Sequence, residues 1–105
     1  MNQAGNVFRA LADPTRRQIL QELKNAELPA GAIAALFQIS GPSISRHLAI
    51  LKAADLVAER RDANRIFYGL KRETLATHLG DFLSAVCPTQ ILQRTKINRR
   101  KHASS

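Results

Sequence analysis

Ile33-Ala34-Ala35-Leu36-Phe37-Gln38-Ile39-Ser40-Gly41-Pro42-Ser43-Ile44-Ser45-Arg46-His47-Leu48-Ala49-Ile50-Leu51 is the stretch that decides the fold. Ile33, Ala34, Leu36 and Phe37 make the apolar side of a first short helix, Gln38-Ile39-Ser40 supplies a tight turn, and Ile44, Leu48 and Leu51 repeat at helical spacing in a second. With Ile44 taken as the inward direction at about 100° per residue, Pro42, Arg46 and Ala49 point outward and Ser43 and Ser45 flank them. The exposed first turns are therefore small, hydroxylated and cationic.

Ser40 suits an N-cap and Pro42 the first helical turn, where its missing N–H is not needed. Free N–H groups at such a terminus attract phosphate, and a helix led by small residues can enter a major groove without obstructing its own approach. The stretch reads as a helix-turn-helix. Two amphipathic helices with a short turn also occur in small domains that bind nothing, so the flanking residues must decide.

Upstream, Val7, Phe8 and Leu11 give residues 5–12 one apolar helical face. Asp13-Pro14 then opens a helix with Ile19, Leu20 and Leu23 inward. Arg16 and Arg17 fall in its first turn, where the dipole disfavours cations, and they read equally as carboxylate-paired surface or as phosphate contacts. Glu27-Leu28-Pro29 breaks the helix before the central stretch begins. Downstream, residues 56–61 and 65–70 are two β-capable runs around Asp62-Ala63-Asn64, and Asn64 is the residue expected to turn left-handed. The result is a β-hairpin tipped by Arg60, Arg61 and Arg65, suited to phosphates or a narrow minor groove. Such charges can also serve only to keep an edge hairpin from pairing with other strands.

Leu75, Leu79, Phe82, Leu83 and Val86 form a long apolar stripe over residues 72–86. It can pair with a second subunit together with the Val7, Phe8 and Leu11 face, or close the core of the monomer; the pattern fits both. Pro88 stops that helix. At 105 residues the chain allows a single domain, expected over 1–88, with 89–105 as a basic, flexible tail. The net charge is +8, from 16 Lys+Arg against 8 Asp+Glu. Five of those positive charges, Arg94, Lys96, Arg99, Arg100 and Lys101, lie in the tail, so the body is only mildly basic and the placement of its charges matters more than their sum.

No apolar run approaches the roughly 20 residues that span a bilayer, and no export signal opens the chain, so a cytosolic protein is expected. The single cysteine, Cys87, excludes an intramolecular disulfide. No nucleophile–base pair, glycine-rich phosphate loop or paired carboxylates support catalysis, and no cofactor is expected.

Residues 13–20, 43–57 and 65–70 together resemble the ArsR-type bacterial winged-helix repressors, in order and at the right intervals, over Asn6 to Val86. The Asp-Pro-Thr-Arg-Arg opening, the Pro42-Ser43-Ile44-Ser45 helix start and the lack of sensor cysteines are most similar to the SdpR-type autorepressor subgroup. The resemblance implies a mainly α fold of about five helices with a two-stranded wing, forming a homodimer on an inverted-repeat operator in double-stranded DNA. Its first and last helices would pack across the twofold axis. By family position Ser40, Gly41, Pro42, Ser43, Ser45, Arg46 and His47 would lie at or near DNA, with Arg61, Asn64 and Arg65 in the wing. Arg46 can donate a bidentate pair to guanine, whereas His47, turned partly inward, suits a phosphate or the turn.

Many ArsR-type proteins sense metals. Here Ala34, Ala35 and Leu36 occupy the thiolate region, and His78 with Asp81 provides two ligands where a tight site needs more. No metal site is assigned. A metal sensor, a redox sensor through Cys87 and a protein- or RNA-binding module are the alternatives to a repressor regulated by a protein partner or by its own concentration.

Overall fold

Two short polar signals start the helices that matter most. Asp13 accepts the Arg16 N–H at 3.0 Å and Ser40 accepts the Ser43 N–H at 3.3 Å, each satisfying a donor that the first turn leaves over. In the computed structural model, which describes residues 3–88 and 90–91, these caps open α2 (Pro14–Glu22) and α4 (Gly41–Ala53). The remaining elements are α1 (Gln3–Leu11), β1 (Leu28–Pro29), α3 (Ala30–Phe37), β2 (Val57–Asp62), β3 (Arg65–Leu70) and α5 (Arg72–Val86). The fold is a winged helix-turn-helix, five helices with a small antiparallel sheet.

The core draws on each of the first four helices and the start of β2. Val7 and Ala10 of α1 meet Ile19 and Leu20 of α2, Ile33 of α3, and Ile44, Leu48 and Leu51 of α4, all buried. Leu23, Ala54, Leu56 and Val57 complete it. The i, i+4, i+7 face of α4 is thus its inward face, which leaves the opposite side of that helix in solvent.

The sheet has three strands in the order β1-β3-β2, where two were expected. Leu28 and Pro29 pair with Tyr68 and Phe67. A two-residue strand containing proline has neither the length nor the alternation that marks a strand in sequence, and it exists here because β3 offers a free edge. β2 and β3 pair from Val57↔Leu70 to Asp62↔Arg65, leaving Ala63-Asn64 as a two-residue loop. The left-handed residue is Ala63, at φ 55°, and not Asn64 as expected. The Asp62↔Arg65 register makes Ala63 the first loop residue, and a positive φ at the first position alone is the sign pattern of a type II′ turn.

Gln38 (φ 54°) closes α3 in the same left-handed region, and Asp55 (φ 62°) follows α4. Asp55 receives the Lys71 Nζ at 2.6 Å and the Thr74 hydroxyl at 3.0 Å, which ties the end of α4 to the start of α5. The chain divides after Leu75 into two compact units. In the second, α5 continues from Ala76 to Val86 without burying any residue.

Candidate nucleic-acid interface

Burial of Ile44, Leu48 and Leu51 sets the rotation of α4 about its axis, and that rotation selects what the helix presents. Gly41, Pro42, Ser43, Ser45, Arg46 and Ala49 are all exposed. The Ser40 hydroxyl donates to Ser43 Oγ at 3.0 Å while accepting the Ser43 N–H, so the helix start is pinned with Ser43 part of the cap. Arg46 makes no hydrogen bond or ion pair among the described residues, and its five donors are available. A Cβ added at Gly41 would meet nothing within 4 Å, so no intramolecular packing requires glycine at the helix tip.

The three wing arginines differ. Arg60 Nε donates to Glu27 Oε1 at 2.8 Å, its Nη1 lies 3.8 Å from Asp62 Oδ2, and its guanidinium sits 4.9 Å from the centre of the Phe67 ring. Arg65 packs over the same ring at 5.1 Å. These residues share a face because Arg60 pairs with Phe67 and Asp62 with Arg65 across the hairpin. Arg61 falls on the other face, exposed and without a bonded partner among the described residues. Asn64 is exposed in the loop. Lys52 near the end of α4 meets Glu59 of β2 at 3.1 Å, holding wing and helix together. The wing thus offers Arg61 outright and Arg65 as a stacked cation, whereas Arg60 is already engaged.

His47 departs from the rest of its helix. Its side chain is 20% exposed and points toward the start of α2, where Nδ1 is 3.4 Å from Arg16 Nη1 and 3.9 Å from Asp13 Oδ2. Among the described residues Arg16 and Arg17 pair with no carboxylate side chain, and both donate to backbone carbonyls. Arg16 donates to the Ala10 and Arg9 carbonyls at 2.7 and 3.2 Å, and Arg17 to those of Leu11 and Ala12 at 2.7 and 3.3 Å. They cap the carbonyl end of α1, which accounts for cations at a helix start where the dipole of α2 alone would disfavour them. The same Arg16 N–H that meets Asp13 holds that carboxyl below the usual carboxylate range.

Comparison with known proteins agrees with this geometry. A helix-turn-helix domain family matches residues 11–60. The transcriptional repressor SdpR of Bacillus subtilis (strain 168) is 44% identical over 81 residues, covering 77% of this chain and 90% of that one. An ArsR-like transcriptional regulator from Rhodococcus sp. RHA1 superimposes with a TM-score of 0.72 at 29% identity, over 96% of this chain and 88% of that one. The chain belongs to the ArsR family. As an ArsR-family member it is a DNA-binding transcriptional repressor and not an enzyme. A homodimeric winged helix-turn-helix DNA-binding domain from Mycobacterium bovis is also similar, with a TM-score of 0.67 at 30% identity, over 79% of this chain and 78% of that one.

Against the dimer surface that the ArsR resemblance implies, the eight apolar positions divide. Val7 is 0% exposed, in the core of the single chain. Leu11 and Leu75 pack at the core edge and Leu79 is half-buried. Phe8, Phe82, Leu83 and Val86 remain exposed, at 37, 51, 42 and 62%. Among the described residues of this ArsR-family chain no group of three or more His, Cys, Asp or Glu side chains is placed to hold a metal ion, and no helix is long and apolar enough to cross a membrane. The tail beyond Ile91, including its five basic residues, lies outside the described residues.

Proposed function

We propose that this ArsR-family protein is an autorepressor that binds as a homodimer to an inverted-repeat operator near its own gene, in the cytoplasm. The observation that carries the reading is the division of α4: Ile44, Leu48 and Leu51 are sealed in the core while Arg46 stands exposed on the opposite side, with no hydrogen bond or ion pair among the described residues. A helix so oriented enters a major groove with a bidentate donor for guanine and short hydroxyls that adapt to neighbouring bases. Ser40, Gly41 and Pro42 bring the helix start close to a phosphate. Arg61, Arg65 and Asn64 of the wing follow the adjacent backbone or minor groove.

Phe8 on α1 and Phe82, Leu83 and Val86 on α5 supply apolar surface of the kind that a second copy covers, and the similar domain from Mycobacterium bovis is homodimeric. Residues 1–88 would then read DNA and dimerise, while the basic tail of 89–105 adds sequence-independent attraction. Likeness to the transcriptional repressor SdpR supports repression; in this reading the repressed gene is the protein's own, and occupancy is set by the protein's own concentration or by a regulatory protein partner.

The test is binding of purified protein to the duplex upstream of its own gene against a scrambled duplex, across a salt series, with Arg46→Ala alongside and sedimentation to give the stoichiometry. A preference of about 10³-fold or more, mostly removed in Arg46→Ala, with two chains per duplex, is expected. Equal binding to both duplexes, weakening together with salt, would overturn autoregulation.

A further inference from the structure

His47 belongs to the recognition helix yet faces α2, and its Nδ1 stands near two groups of opposite character. Arg16 Nη1, a donor, is 3.4 Å away, and Asp13 Oδ2, an acceptor, is 3.9 Å away. Both are anchored in the backbone. Arg16 is held by the Ala10 and Arg9 carbonyls, and the same Asp13 oxygen accepts the Arg16 N–H that starts α2.

A neutral imidazole with its proton on Nε2 accepts from Arg16. An imidazolium has a proton on both nitrogens, so it offers Arg16 no lone pair, is repelled by the guanidinium and is drawn to Asp13. Closing 3.9 Å to hydrogen-bond distance moves the ring and the turn of α4 that carries it, and it sets the ring in competition with the α2 cap for one oxygen. Arg46 is the neighbouring residue on that turn, and a base contact is lost by a displacement of well under a side chain's length.

We infer that His47 is a positioning residue whose protonation changes how the recognition helix is held, so that the preference for specific over nonspecific DNA falls in acid. The inference rests on the reading of α4 as the DNA-contacting helix. The other charged groups on the packed elements are Arg9 of α1, which lines a groove with Ile50 and Ala53, Arg17, which caps α1, and Glu22, exposed near the far end of α2. α3 carries no charged residue, Arg46 is exposed, and Lys52 of α4 is paired with Glu59 of β2. Asp13 stays ionised throughout the range in which imidazoles titrate, since its carboxyl is held below the ordinary value.

The experiment selects a preferred duplex from a random pool with the full chain, then measures the ratio of affinities for that duplex and a scrambled one at about pH 8 and about pH 5.5. Using the ratio cancels the general gain in DNA affinity from added positive charge. The wild-type ratio is expected to fall about tenfold in acid, the size of one lost base contact. His47→Asn, which places an amide near the Nδ1 position and does not ionise, keeps its ratio at both pH values, whereas His78→Gln and His102→Gln retain the wild-type fall. In the free protein, ¹⁵N NMR of the ring is expected to show Nδ1 as the unprotonated nitrogen at the higher pH. A wild-type ratio that stays flat, an equal fall in His47→Asn, or a ring that does not ionise in this window overturns the inference while α4 remains the recognition helix. A pool that yields no preferred duplex overturns the DNA reading itself, and the inference with it.

Discussion

Arg60 Nε donates to Glu27 Oε1 at 2.8 Å, a bond between residues 33 apart in sequence, with the guanidinium over Phe67, while the adjacent Arg61 lies on the other face of the hairpin with no bonded partner among the described residues. Two neighbouring arginines of the same wing thus have different work. Arg61→Ala is expected to weaken binding about equally on all duplexes and to reduce the slope of log K against log salt by about one. Arg60→Ala should leave that slope nearly unchanged and loosen the wing, seen as faster amide exchange across β2 and β3. A slope change confined to Arg60→Ala would reverse the assignment.

Ala63 holds a positive φ of 55°, a region where a Cβ costs roughly 1 kcal/mol. Ala63→Gly should therefore stabilise the fold by about that amount, raising the melting temperature by roughly 4–8 °C for a chain of this size at fixed protein concentration. An Ala63→Val variant should lose stability, because a β-branched side chain tolerates this region worse than alanine. An unchanged melting temperature in both would mean that the loop does not hold this conformation in solution.

The Asp13 cap predicts an acid-side loss. Its carboxyl has a lowered folded-state pKa, chiefly through the Arg16 N–H, against an ordinary value of 3.8. Its contribution is therefore complete above that value and is lost as pH falls through it toward the lower folded value. Asp13→Ala should cost about 1 kcal/mol at neutral pH, and Asp13→Asn, which can still cap, should cost less and flatten this limb of stability against pH. Chemical denaturation between about pH 2 and pH 7 measures it. An identical acid limb in wild type and Asp13→Asn would exclude the cap as its source.

Gly41 begins α4 with open space where a Cβ would go. Gly41→Ala should leave folding stability unchanged or raise it by a few tenths of a kcal/mol, since alanine suits a helix better. Binding to the preferred duplex should nonetheless weaken, because the space that the methyl group fills is needed for close approach to a phosphate. Full retention of affinity would place the DNA backbone away from the helix tip.

Much of the fold is legible because its signals are local. Asp13-Pro14 and Ser40-Gly41-Pro42 name two helix starts within a few residues each, and the spacing of Ile44, Leu48 and Leu51 fixes which side of α4 is buried and hence that Pro42, Ser43, Ser45 and Arg46 are exposed. The stripe from Leu75 to Val86 likewise marks α5, whose bounds are Arg72–Val86. Periodicity and capping depend on neighbours no more than four residues away, and such neighbours are already present in the chain before it folds.

What the tertiary structure alone decided are the partners that arrive from far along the chain. β1 is a strand only because β3 lies beside it, Val7 is core because α2 and α4 pack on α1, and Ala63 takes a positive φ because the pairing of Asp62 with Arg65 makes it the first residue of a two-residue loop. Glu27 withdraws Arg60 from the wing's free charges, while the α1 carbonyls fix Arg16, which meets His47 across 31 residues. A side chain's chemistry is written in the sequence, but whether its donors are free or already engaged depends on which distant groups the packed core brings within hydrogen-bond reach.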